Sequence, residues 1–167
     1  MTRREIPFLR PVVRAALVLA VLAFAASPAS TGTAPKAVKP GDVAPAFSGA
    51  STSGAPVESK ILLSRNRAVL LAFWGIRCAA CIEEIPALRK IQEEFREGTL
   101  HVVGVNVDGV DAATLKSLME EEKIATNYTI LADPDFKVVD AFAMTAAPLT
   151  VLIDREGKVR YSHFGYK

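Results

Sequence analysis

The sequence predicts an α/β fold, a three-layer sandwich whose mixed central sheet ends in a β-hairpin. Three observations lead there. Two continuous apolar runs, residues 68–73 and 100–107, read as buried strands. Segments of helical period follow each of them. Near the C-terminal end, two short strands flank the turn Asp154-Arg155-Glu156-Gly157 and read as a hairpin. Strands that alternate with helices place helices against both faces of a sheet.

The chain has 167 residues, half of them apolar. That suits one domain of the usual ~100–200 residues. Arg3, Arg4, Arg10 and Arg14 against Glu5 give residues 1–30 a charge of +3, which leaves −1 for the rest of a chain of net charge +2. The basic excess belongs to the leader, so nothing favours nucleic acid as a partner. In the leader, an uncharged apolar stretch at 15–26 follows the basic residues, and Ala26, Ser27, Pro28, Ala29 and Ser30 come next. This is the layout of a secretory signal peptide. The apolar stretch is short for a spanning helix, which needs about 17–25 residues. Residues 1–30 therefore read as a signal peptide or an N-terminal membrane anchor, which places the rest of the chain outside the cytoplasm. No cysteine stands in the leader to carry a lipid.

The composition of 27–46 is rich in Pro, Ser, Thr, Ala and Gly, with 31–40 as linker and 41–167 as the folded domain. Residues 47–59 carry turn signals at Ser53-Gly54 and Pro56, which predict a short strand or hairpin. Residues 68–73 are the first buried strand. From 79 to 95, Ile85, Leu88, Ile91 and Phe95 recur at helical spacing, and Gly98 ends the helix. Pro86 falls inside it, where a proline removes a backbone bond and favours a kink. Residues 100–107 are the second strand. A helix over 111–123 places Leu115, Leu118 and Met119 on one face, with Asp111 as N-cap. A short strand at 128–131, a turn at Asp133-Pro134 and a short helix at 135–142 come next. Strands at 149–153 and 158–164 close the chain.

The chemistry lies in Phe73-Trp74-Gly75-Ile76-Arg77-Cys78-Ala79-Ala80-Cys81, which holds the only two cysteines. Two thiols at this spacing can close a small disulfide ring and reopen it. So short a loop constrains the unfolded chain little, which argues against a purely structural staple. A cysteine at a helix start faces unpaired N–H groups and the positive end of the helix dipole, and both stabilise a thiolate. Cys78, at the helix start, is thus the exposed nucleophile. Cys81, in the first turn, is the resolving thiol. Arg77 adjoins the nucleophile, as a thiolate partner or as a solvated charge. Glu84 follows Cys81 by one helical turn and shares its face. It is either the acceptor of the Cys81 proton or a first-turn carboxylate favoured by the dipole. Pro148 precedes a strand, where trans is the ordinary state, since cis is about 5–6% of X-Pro bonds. A cis bond would present the backbone of Ala147 to an incoming peptide. Two cysteines and the separated His101 and His163 cannot supply the four ligands of a zinc site. No phosphate-binding loop is present, and no cofactor is implied.

These residues resemble the thioredoxin superfamily. Within its redoxin group they are most similar to the extracytoplasmic thiol–disulfide oxidoreductases of the ResA and TlpA type. The resemblance rests on Gly41-x-x-Ala44-Pro45-x-Phe47, Phe73-Trp74-Gly75, Cys78-x-x-Cys81, Glu83-Glu84-x-Pro86, Val103-x-Val105-Asn106-Val107-Asp108, Pro148 and Ile153-Asp154-x-x-Gly157. It implies a thioredoxin-like sandwich in which Cys78 attacks, Cys81 resolves and Glu84 tunes the pair. It also implies a cis Pro148 that meets substrate together with Ala147, and Trp74 and Arg77 beside the site. Three departures bear on redox poise: Arg77 where Trp is usual, Ala79-Ala80 without proline between the cysteines, and Ala147 before Pro148. The family also implies a C-terminal helix after the closing strand. The sequence stops at Lys167, which reads as truncation or as a sheet face covered in another way.

The expected function is thiol–disulfide exchange on exported disulfide-bearing proteins, as a reductant of the apocytochrome c maturation type. A membrane thiol donor would recharge it. Two alternatives compete. A peroxiredoxin-type peroxidase would need Pro-x-x-x-Thr-x-x-Cys, but Leu71 and Gly75 fill the Pro and Thr positions. A copper metallochaperone would need wider cysteine spacing and a histidine near Pro148.

Overall fold

In the computed structural model, residues 37–95 and 98–166 are described. The leader and most of the 31–40 linker lie outside them. Five strands form the central sheet in the order β5-β4-β3-β6-β7. They are β3 Ala68–Trp74, β4 Leu100–Asn106, β5 Thr129–Ala132, β6 Leu149–Asp154 and β7 Val159–Phe164. Strands β3, β4 and β5 run parallel, whereas β6 is antiparallel to β3 and pairs with β7 as the terminal hairpin. The sheet is mixed, as the sequence predicts.

The central strand shows why a continuous apolar run was needed. Val69, Leu71 and Phe73 point to one face, where they pack with Val103, Val105, Phe142 and Val151. Leu70, Ala72 and Trp74 point to the other. Alternation of side chains across a strand demands this when both faces are covered. The second face is covered by α2 Ala79–Glu94 and α3 Ala112–Glu121, through Cys81, Leu88, Leu115 and Met119. The first is covered by α1 Ser59–Arg65 and α4 Lys137–Ala141, through Leu62, Leu63 and Val138. Helix α2 runs on through Pro86.

Residues 47–59 form the predicted hairpin, β1 Ser48–Ala50 against β2 Pro56–Glu58. Helix α1, which comes directly after it, was not predicted. It is only seven residues long and has no side-chain N-cap. Its anchor is tertiary: Phe47 N–H donates to Ser59 Oγ at 3.1 Å, and Ser59 N–H donates to the Phe47 carbonyl at 2.9 Å. Helix α3 has the expected cap, with Asp111 Oδ1 accepting from the N–H groups of Ala113 and Thr114, each at 2.9 Å. Among the described residues, no helix is long and apolar enough to cross a membrane.

Candidate active site

Register brings three chain segments to one end of the sheet. Trp74 ends β3 opposite Asn106, the last residue of β4. Phe73 pairs with Leu149, the first residue of β6, so Pro148 arrives at the same end. Helix α2 starts there, five residues beyond Trp74.

The connection between β3 and α2 is held from β4. Asp108 Oδ2 accepts from the Ile76 N–H at 2.9 Å and from Asn106 Nδ2 at 2.6 Å. Asn106, fully buried, accepts from the Asp108 N–H at 3.1 Å through Oδ1. Val107 N–H donates to the Trp74 carbonyl at 2.9 Å. A side chain on Gly75 would place its Cβ 3.1 Å from Asp108 Oδ1. In the sequence, Asn106 and Asp108 stand out only as motif residues without a role. Their role in the fold is to clamp the loop that carries the first cysteine.

Cys78 is the N-cap of α2, half-buried, and Cys81 is 1% exposed. The two are joined as a disulfide, with Cα atoms 5.2 Å apart. The Cys81 N–H donates to Cys78 Sγ at 3.3 Å, so the sulfur sits where a capping oxygen usually does. A thiolate at that place would meet the same N–H and the helix dipole. Of the two cysteines, the less buried is the one at the helix terminus.

Glu84 is 8% exposed and lies on the inner face of α2 with Cys81, Ile85 and Leu88. Thr150 Oγ1, from β6, donates to Glu84 Oε1 at 2.8 Å. Burial raises the Glu84 carboxyl above its ordinary range, and the Thr150 hydrogen bond and the charge of His163 offset part of that rise. The carboxyl thus lies buried one helical turn from the buried Cys81.

The other residues singled out from sequence divide in two. Pro148 is buried and follows a cis peptide bond, and Ala147, half-buried, packs in the same cluster as Cys78 and Cys81. Arg77 is exposed beside Cys78, where it has solvent around it. Trp74 is 3% exposed, so it meets the site from beneath, packed with Cys81, rather than from the surface. Its fit depends on Gly104: a Cβ there would stand 3.1 Å from Trp74 Nε1 and 2.9 Å from Ile130 Cδ1.

Two site neighbours are not evident from the sequence. Thr150 lies two residues beyond Pro148, a polar position in an otherwise apolar strand, and that was the available signal. His163 is far from Pro148 in sequence, but register sets it directly opposite Thr150. Among the described residues, no group of three or more His, Cys, Asp or Glu could hold a metal ion. A cavity of about 620 Å³ lies elsewhere, lined by residues such as Ser51, Gln92 and His101 and by neither cysteine.

Residues 40–162 match the AhpC/TSA family. The chain is 31% identical over 124 residues to the thiol-disulfide oxidoreductase ResA of Bacillus subtilis (strain 168), covering 74% of this chain and 66% of that protein. It thus spans just under two thirds of that relative. Among solved structures, it is similar to the thioredoxin domain of a thiol-disulfide oxidoreductase from Bacteroides vulgatus, with a TM-score of 0.65 and 26% identity. That match covers 77% of this chain and 91% of the other. It is also similar to a thiol:disulfide interchange protein from Bacteroides sp., with a TM-score of 0.63 and 29% identity over 75% of this chain and 82% of the other. Extent of match, sheet order and the placement of Cys78 and Cys81 agree, and the chain belongs to the AhpC/TSA family, with a thioredoxin-like fold.

Proposed function

We propose that this protein is a thiol–disulfide oxidoreductase that reduces disulfides in exported proteins. The observation that carries the reading is the asymmetry of the pair: Cys78 half-exposed at the helix N-terminus, Cys81 buried one turn in beside Glu84.

The cycle derives from that asymmetry. The Cys78 thiolate attacks one sulfur of a substrate disulfide, forming a mixed disulfide and releasing the other substrate sulfur as a thiolate, which takes up a proton. Cys81 gives its proton to Glu84 and attacks Cys78 Sγ. This closes the Cys78–Cys81 bond and expels the second substrate thiolate. Two electrons pass to the substrate, and the protein ends in its disulfide form. A dithiol donor at the membrane, opposite in direction, would restore the thiols. Ala147, packed in the cluster with both cysteines, offers its backbone to the substrate chain.

Export rests on the leader composition, and the reducing direction on likeness to ResA. Apocytochrome c thiols are the substrate class that likeness suggests. The peroxidase alternative is disfavoured by Leu71 and Gly75. Turbidimetric insulin reduction with dithiothreitol tests the activity. Wild type should accelerate precipitation and Cys78→Ser should not; equal rates would refute the reading.

A further inference from the structure

We propose that His163, together with Thr150, is a positioning residue for Glu84, holding its carboxylate oriented and charged so that it can take the Cys81 proton. The inference rests on the proposed role of Glu84 as that acceptor.

The geometry begins with register. Thr150 of β6 and His163 of β7 are direct antiparallel partners. Such partners project from the same sheet face with Cβ atoms about 4.5–5.5 Å apart. Thr150 reaches Glu84 from that face, and His163 lines the same cavity as the carboxyl. Tyr161, two residues back along β7, shares the face, and its ring stacks on that of His163 at 6.1 Å between centroids and 28° between planes. The stack packs the imidazole beside Tyr161 on this face. A π-face also favours a cation beside it.

Glu84, Thr150, Tyr161, His163, Gly165 and Tyr166 line one cavity of about 230 Å³. That exceeds by several-fold the ~30 Å³ share of a water in the liquid. The carboxylate therefore has a polar path outward past His163, while its helix face turns toward Cys81. A proton taken from Cys81 can leave by this side.

The other groups around Glu84 add no competing cation among the interactions described. Thr150 supplies a neutral donor from β6. Tyr161 and Tyr166 supply phenols at the cavity. Tyr128 lies on the inner side, where burial first and the Glu84 charge second raise its phenol, which stays neutral; Arg89 acts on Tyr128 in the opposite sense. The positive charge that acts on Glu84 is that of His163. An imidazolium beside a carboxylate favours its charged form. His163 is exposed, so salt weakens the effect.

The test measures the pH profile of insulin reduction and the Glu84 carboxyl ¹³C titration in the full-length chain, at low and high salt. Glu84 must be ionised to accept the proton, so activity rises with pH through its titration. Removing a group that favours the ion shifts that rise to higher pH. His163→Gln and Thr150→Val should both move the acid limb and the ¹³C midpoint upward. His163→Gln should be between about 1.4- and 5-fold slower than wild type on the acid limb, the range for partly exposed pairs. His163→Lys should restore the wild-type position, and high salt should merge the His163→Gln and wild-type curves. Profiles and midpoints of His163→Gln that superimpose on wild type at low salt would overturn the inference. Glu84→Gln separates the two levels: if it removes the acid limb while His163→Gln changes nothing, this inference alone fails. If Glu84→Gln leaves the limb intact, the underlying reading fails with it.

Discussion

Cys81 donates its backbone N–H to the sulfur of Cys78 across 3.3 Å. The buried cysteine thereby holds the accessible one in the capping position of the helix both residues belong to. A sulfur there needs no side-chain neighbour to be stabilised as a thiolate, because the helix terminus supplies the field. In the proposed cycle this is the support for the first cysteine, which has Arg77 before it and Ala79-Ala80 after it in place of the usual tryptophan and proline.

Glu84 gives the fold a pH signature. The folded protein keeps the Glu84 proton above the ordinary carboxyl value of 4.5, at which the unfolded chain releases it. Above that pH the folded state binds the extra proton, so stability falls as pH rises until Glu84 has ionised in the folded state as well. Glu84→Gln keeps the acceptor for Thr150 and removes the titration. Thermal melts from about pH 4 to 8 should show a smaller decline of Tm with rising pH in the variant. Parallel curves would contradict it.

The clamp from β4 should be visible as stability. Asn106→Ala removes a fully buried amide and leaves the Asp108 N–H without its acceptor. Loss of a buried hydrogen-bonding side chain costs about 1–3 kcal/mol. Urea denaturation should show a loss of that size with an unchanged slope.

Gly104 should tolerate no larger residue. An alanine Cβ would fall 2.9 Å from Ile130 Cδ1 and 3.1 Å from Tyr128 Cε2. Overpacking of this kind costs about 1–3 kcal/mol. Gly104→Ala should lower Tm and shift the emission of Trp74, the chain's single tryptophan. An unshifted melt would show that the sheet yields there.

Trp74 also offers a redox reporter. It packs in one cluster with Cys81, so closing or opening the disulfide should change its fluorescence. Reduction with dithiothreitol should raise the emission of wild type and leave Cys78→Ser unchanged.

The long elements were legible because their signals are local. The buried run of β3, the helical spacing of Ile85, Leu88 and Ile91, and the Asp111 cap each lie within a few residues. Helix α1 was not, since its hold on the fold is the Ser59–Phe47 pair, twelve residues apart and without a pattern of its own. The site divides the same way. Cys78 and Cys81 are read from spacing. The Thr150–Glu84 hydrogen bond joins residues 66 apart, and His163 enters only through strand register. The isomer of Pro148 has no local sequence determinant, and only the resemblance pointed to it.

In the proposed cycle Cys78 attacks and Cys81 resolves. Cys81→Ser, incubated reduced with a disulfide-linked peptide, should accumulate a mixed disulfide that mass spectrometry maps to Cys78, whereas Cys78→Ser should accumulate none. An adduct on Cys81 in the Cys78→Ser variant, formed as fast as that on Cys78, would contradict the assigned order and the central claim with it.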